Sequence, residues 1–191
     1  TTDNTSDLPE SYFREHQIEY MSLSCKLGNE TYNKENRLDE KEFYAAMRSG
    51  SMPTTSQVNS EEAKEILRPI LEDGRDVLHI AFSSGLSGSY NSVRIAAEEL
   101  GEEFPDRKIV VIDSLCASLG EGLLVDKAVE LRDAGNSIGE AAGWLEEHKL
   151  NLHHWFFSTD LKFYIRGGRV SKTAGFVASV LNICPLLHMD E

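Results

Sequence analysis

Short, almost continuous apolar runs alternate along this chain with longer stretches in which apolar residues recur every three to four positions, and that alternation predicts the elements. Asp76–Phe82 and Lys108–Asp113 (Lys-Ile-Val-Val-Ile-Asp) read as strands. The second is apolar along nearly its whole length, the pattern of a strand covered on both faces in a parallel sheet. Ser60–Asp73 sets Ala63, Ile66, Leu67, Ile70 and Leu71 in one stripe of a helix that Ser60 caps and Pro69 kinks or ends. A further helix follows the small-residue turn Ser83–Ser89, and two more cover Gly122–Ala134 and Ser137–His148.

Nearer the start, Thr1–Asp3 reads as the tail of a strand and Leu8–His16 as a short helix entered through Asp7 and Pro9. Ile18–Leu27 reads as one strand, Gly28-Asn29 as a turn and Glu30–Tyr32 as the return strand. Asp39–Arg48 reads as a helix capped by Asp39, and Gly50–Gln57 as a polar loop. Towards the end, His153–Ser158 reads as a strand. Leu161–Ile165 reads as a helix broken by Gly167-Gly168, and Ala174–Leu181 as another helix. Strands alternating with helices call for an α/β fold, with a Rossmann-like α/β/α domain and a largely parallel sheet over residues 1–150. Residues 151–191 read as the start of a second α/β domain, incomplete in this chain.

The charge narrows the partners. Lys and Arg total 19 against 32 Asp and Glu, a formal net charge of −13. Phosphate backbones and anionic membrane surfaces both need clustered cations, so neither nucleic acid nor a membrane is the expected partner. Acid-rich stretches such as Glu98–Glu103 read as solvated surface. Cys25, Cys116 and Cys184 are widely spaced and form no CxxC pair, so no metal site is expected, and the thiols suit a reducing, cytoplasmic setting. No apolar run approaches the length of a membrane span.

Candidate chemistry lies where strands end. Thr2–Ser6, Ser83–Ser89 and Asp113–Ser118 each follow a strand, and Pro53–Gln57 is a loop of the same small, hydroxylated kind. Ligands of open α/β sheets bind at the carboxyl ends of the strands. Hydroxyls, glycines and helix-start N–H groups there suit a small anion. Any one of these loops also serves simply as a turn and a helix cap. Ser83–Ser89 exceeds that need, since one cap does not require four serines and two glycines. Neither GxxxxGK[ST] nor GxGxxG occurs, and Ser83–Ser89 holds no Lys or Arg, so a single carboxylate fits better than a polyphosphate. The alternative is a serine hydrolase: Ser87, Asp113 and His153 or His154 stand in the order of an α/β-hydrolase triad, although Gly85–Ser89 is not GxSxG.

Taken together these motifs resemble the DegV family. Thr2–Pro9 is similar to its opening TDS-x-x-DLP element, Pro53–Gln57 to its PTTSQ loop and Ser83–Tyr90 to its SS-x-LSGTY signature. Asp113–Gly120, Gly167–Val170 and Asn182–Leu187 resemble its DS-x-x-aS-x-G, GGR[IV] and N-I-K-P-[IL]-L elements. Asn4 stands where serine is usual, Val58 where proline is common and Cys184 where lysine is usual. The resemblance implies a non-catalytic carrier that holds one long-chain fatty acid in a tunnel between two domains. It implies no other cofactor, and a separate ATP-binding fatty-acid kinase subunit to which the carrier presents the carboxylate. The headgroup residues so implied are Thr54, Thr55, Ser56, Ser84, Gly85, Leu86 and Ser87, with Arg169 facing the partner protein. The resemblance also implies a further C-terminal portion, with a histidine near the carboxylate, that residues 1–191 do not include.

Overall fold

The computed structural model describes residues 1–158, 160–171, 173 and 184–188. The chain divides into two compact units, Thr1–Lys149 and Leu150–Glu191. In the first, β1 (Thr2–Asp3), β2 (Tyr20–Met21), β6 (Val77–Ala81) and β7 (Ile109–Asp113) form a parallel sheet in the order β2-β1-β6-β7. β6 and β7 pair over their full length, Val77 opposite Ile109 through Ala81 opposite Asp113. The helices α3 (Ser60–Glu72) and α4 (Ser89–Glu103) pack on each other and on the sheet. Met21, Val58, Leu67, Leu71, Val77, Val93, Ala96 and Leu100 form their shared core, which includes no residue of α5 (Ser118–Asp133) or α6 (Ile138–His148). Those two helices pair separately and cover the sheet through β6 and β7. This is the α/β layering that the alternating pattern predicts.

Several boundaries differ from the sequence reading, each for a local reason. Ile18–Leu27 is not one strand. Tyr20–Met21 joins the parallel sheet, whereas β3 (Ser24–Leu27) turns into a small antiparallel sheet between β4 (Glu30–Tyr32) and β5 (Thr54–Ser56). Asn4 makes the break: its Oδ1 accepts from Leu23 N at 3.0 Å and its Nδ2 donates to Leu23 O at 3.2 Å, replacing the ladder partner the chain gives up there. β4 (Glu30–Tyr32) returns from the Gly28-Asn29 turn as predicted, with Gly28 at φ 62°. The presumed loop Gly50–Gln57 contains a strand, β5 (Thr54–Ser56), because the open edge of β3 pairs with it, Cys25 opposite Thr55. Asp39 caps α2 (Glu40–Arg48) by accepting from Glu42 N.

The cap of α3 is Asn59, not Ser60. Asn59 Oδ1 accepts from Glu62 N and Glu62 Oε2 accepts from Asn59 N, a reciprocal capping box. Pro69 does not end the helix, which continues to Glu72 with Leu67, Ile70 and Leu71 buried around it. Packing there outweighs the one hydrogen bond that proline removes. Asp7 does not cap α1 (Glu10–Glu15). It closes the short 3-10 turn Asn4–Ser6 at φ 53°, and Pro9 takes the cap position without a side-chain bond.

In the second unit, β8 (Trp155–Phe157) pairs antiparallel with β9 (Leu186–His188). α7 (Lys162–Arg166) ends at Gly167-Gly168, with Gly168 at φ 78°. The helix expected over Ala174–Leu181 lies outside the described residues.

Candidate functional site

The strand order puts β6 between β1 and β7, so the segment leaving β6 is flanked by the ends of both neighbours. Each neighbour ends in an aspartate that grips it. Asp3, the last residue of β1, accepts from Phe82 N at 2.8 Å, and Asp113, the last residue of β7, accepts from Ser84 N at 3.1 Å. Ser83 is buried and folds the loop on itself: its Oγ accepts from Gly85 N, and its carbonyl accepts from Leu86 N and Ser87 N. Ser83 N in turn donates to Cys116 O, which ties the loop to the segment after β7. The N–H groups of Ser84, Gly85, Leu86 and Ser87 are thus all engaged inside the protein.

β5 reaches the same place through Gln57 and Val58. Gln57 Nε2 donates to Ser92 Oγ at 3.1 Å and Val58 N to Ser89 Oγ at 3.4 Å. Gly88 makes this approach possible. A Cβ there would run into the Gln57 carboxamide, 2.8 Å from its Cδ. Thr54, Thr55, Ser56 and Ser84 are exposed, and their hydroxyls make no hydrogen bond among the described residues. Ser87 is half-buried, with its Oγ 3.0 Å from Ser89 Oγ. Gln57 and Val58 therefore tie the β5 segment to the start of α4, directly after the serine loop.

Below this edge lies a buried polar cluster. Glu121, in the first turn of α5, is fully buried and lies 3.1 Å from Thr2 Oγ1 and 3.0 Å from Thr5 Oγ1. Burial first, then the neighbouring Asp3 charge, pushes its pKa up to about 9. Burial also raises Asp3 to about 6 and lowers His79 to about 3. Asp3 Oδ1 and His79 Nε2 stand 3.8 Å apart, and neither has a hydrogen-bond partner. Sequence reading missed Glu121 because it treated acid in helices as solvated surface. The available signal was the pair of glycines around it: a Cβ at Gly122 would come within 2.8 Å of Ser6 O, so α5 presses close against the turn after β1.

The hydrolase alternative finds no assembled triad in the first unit. Ser87 Oγ pairs with Ser89, and Asp113 Oδ1 accepts from the N–H groups of Ser84 and Leu115. The one histidine among these strands, His79, faces Thr1 and Asp3. His153 and His154 belong to the second unit. Arg169 is exposed after the Gly167-Gly168 break and donates to Gly167 O at 2.6 Å. A surface cleft of about 480 Å3 lined by Phe13, Arg14, Tyr20, Lys34 and Arg75 opens at the other, amino-terminal end of the strands. Its Lys34 and Arg75 pair with Glu19 and Asp73. Among the described residues no group of three His, Cys, Asp or Glu is placed to hold a metal ion, and no helix is long and apolar enough to cross a membrane.

A four-stranded parallel sheet with helices on it and hydroxyl-rich loops at its carboxyl edge defines an α/β protein of the open-sheet class. Within that class the chain belongs to the DegV family, whose model, described as uncharacterised protein of the DegV family, matches residues 1–191. A DegV domain-containing protein of Clostridium perfringens is 43% identical over 192 residues, covering 100% of this chain and 66% of that relative. The chain therefore spans about two-thirds of the length of such relatives. Among solved structures, one described as fatty acid binding of a DegV family protein from Thermus thermophilus superposes with a TM-score of 0.85 at 34% identity, over 99% of this chain and 66% of that one. A stearic acid-binding protein from Eubacterium ventriosum gives a TM-score of 0.87 at 28% identity, over 100% and 66%. DegV of Bacillus subtilis, described as a fatty acid binding protein, gives 0.83 at 32%, over 100% and 67%.

Proposed function

We propose that this chain forms the headgroup-binding part of a fatty-acid carrier, with the carboxylate held by the hydroxyls of Thr54, Thr55, Ser56, Ser84 and Ser87 beside Gly85 and Leu86. The observation that supports the reading is that Thr54, Thr55, Ser56 and Ser84 are exposed, with hydroxyls that make no hydrogen bond among the described residues, on segments that Gln57 and Val58 tie together. Fatty acid binding by the similar proteins of Thermus thermophilus, Eubacterium ventriosum and Bacillus subtilis supports the ligand class. Hydroxyls can serve a single carboxylate without a cation, whereas a polyphosphate needs more charge than the serine loop, which holds no Lys or Arg, supplies. The acyl chain supplies the affinity. Each buried CH2 contributes about 0.8 kcal/mol, so a sixteen-carbon tail gains about 10 kcal/mol before the losses of immobilisation.

The carrier does no chemistry of its own in this reading. It presents the carboxylate to a separate ATP-binding kinase subunit, and Arg169 on its exposed turn meets that partner. An organic extract of the purified full-length protein, analysed by mass spectrometry, should contain a straight-chain fatty acid in near-stoichiometric amount. A clean extract together with no binding of added palmitate overturns the proposal. A fluorophosphonate probe should leave Ser87 unlabelled. Labelling that Ser87→Ala abolishes would move the assignment to a serine hydrolase.

A further inference from the structure

The hydroxyls near the headgroup are not equivalent, and proton counting separates them. A serine hydroxyl has one hydrogen to donate and two lone pairs with which to accept. Val58 N is a backbone donor, so its 3.4 Å contact makes Ser89 Oγ an acceptor. Ser89 is fully buried, and among the described residues its hydroxyl reaches one other oxygen, Ser87 Oγ, at 3.0 Å. A buried hydroxyl hydrogen without an acceptor is costly, so that hydrogen points at Ser87. Ser87 Oγ also accepts from Ser89 N at 3.2 Å. Both lone pairs of Ser87 are then occupied, and what remains is its own hydrogen, which has no acceptor among the described residues.

From this we infer that Ser89 is a positioning residue that fixes the Ser87 hydroxyl as a hydrogen-bond donor and so selects a ligand headgroup that accepts, such as a carboxylate. The inference rests on the headgroup reading above and deepens it, because Ser89 touches no ligand. It also links the two halves of the site. The donor that orients Ser89 comes from Val58, directly after β5, and Val58 is held there by the Gln57–Ser92 bond and by the absence of a side chain at Gly88. A Ser87 set in this way is a poor nucleophile as well, since its lone pairs face its neighbour and its proton faces no base.

The test is a double-mutant cycle on palmitate affinity in the full-length protein, alongside thermal melts. Ser89→Ala should weaken palmitate binding about tenfold, the scale of one hydrogen bond to a charged group. Ser87→Ala should do the same, and the double variant should be no weaker than Ser87→Ala alone, because Ser89 acts through Ser87. Ser89→Thr, which keeps the hydroxyl, should restore binding. A general loss of structure would instead make the two effects multiply and would not need Ser87. Should Ser89→Ala fail to fold, Ser89→Cys gives the same reading, since it keeps the shape with a weaker donor. If Ser87→Ala weakens binding and Ser89→Ala does not, or if the two effects multiply, the positioning role is wrong while the headgroup reading stands. If Ser87→Ala and the Thr55→Ala, Ser84→Ala pair all leave affinity unchanged, the headgroup reading falls and this inference falls with it.

Discussion

Two polar regions sit almost on top of each other in the first unit, and they use similar residues to opposite ends. At the rim, Thr54, Thr55, Ser56 and Ser84 are exposed, with hydroxyls that make no hydrogen bond among the described residues. Just beneath, Thr2, Thr5, Asp3, His79 and Glu121 form a cluster in which Thr2, Asp3, His79 and Glu121 are fully buried. There the bonds that are made point inward, and Asp3 Oδ1 and His79 Nε2 make none among the described residues. The rim can exchange water for a ligand at little cost. The cluster cannot exchange anything, and the low dielectric around it shifts its carboxyl groups towards the neutral form and keeps His79 uncharged. Burial alone separates an exposed polar rim from a structural network, even where the residue types are shared.

The sharpest way to break this contrast is to remove the rim hydroxyls. Thr55→Ala with Ser84→Ala should lower fatty-acid affinity by well over tenfold, at about 1.5–3 kcal/mol per lost bond to a charged group, while the melting temperature stays near that of the parent. A calorimetric titration that shows unchanged affinity would place the headgroup elsewhere. The cluster should respond in the other currency, stability against pH. Glu121 has a folded pKa near 9 against an ordinary value of 4.5, so its contribution is complete below pH 4.5 and is lost as pH rises through 9. Asp3 acts in the same direction over a lower window, from 3.8 to about 6. His79 acts oppositely, contributing above 6.5 and losing that contribution as pH falls towards 3. Glu121→Gln, neutral at every pH, should therefore flatten the alkaline decline. Its melting temperature at pH 9 should exceed the parent's by on the order of 5 °C, the shift that about 2 kcal/mol makes in a chain of this size. Equal melting temperatures at pH 9 would mean that Glu121 ionises freely.

Smaller effects test the edges of the contrast. Asn59→Ala removes the cap of the helix that carries β5 into the core, and should cost about 1 kcal/mol of stability with little change in affinity. A chemical melt measures the first and a titration the second. Arg169→Ala should leave fatty-acid affinity within a factor of a few and lower turnover by a cognate kinase, since rim charges act mainly on association and partner choice. A collapse of lipid affinity would assign Arg169 to the headgroup instead.

Periodicity and local chemistry determined much of this protein before any fold was seen. The apolar run at Ile109–Asp113, the stripe of α3 and the Gly28-Asn29 turn all stand where the residue pattern puts them, because each depends on neighbours close in sequence. The hydroxyl-rich motifs and the family they resemble were legible for the same reason, as short segments with their own composition. Tertiary structure decided what depends on distant partners. Thr54–Ser56 is a strand only because the edge of β3 is open beside it. Ile18–Leu27 breaks only because Asn4 supplies a substitute for the backbone ladder. Glu121 looks like any surface glutamate until α5 is pressed against the turn at Asn4–Ser6, when removal from water, and not its place in the sequence, sets its charge. Ser87 and Ser89 are two serines of one motif. Their different roles follow from a single N–H of Val58, which lies thirty-one positions from Ser89 in the chain and meets it only in the fold.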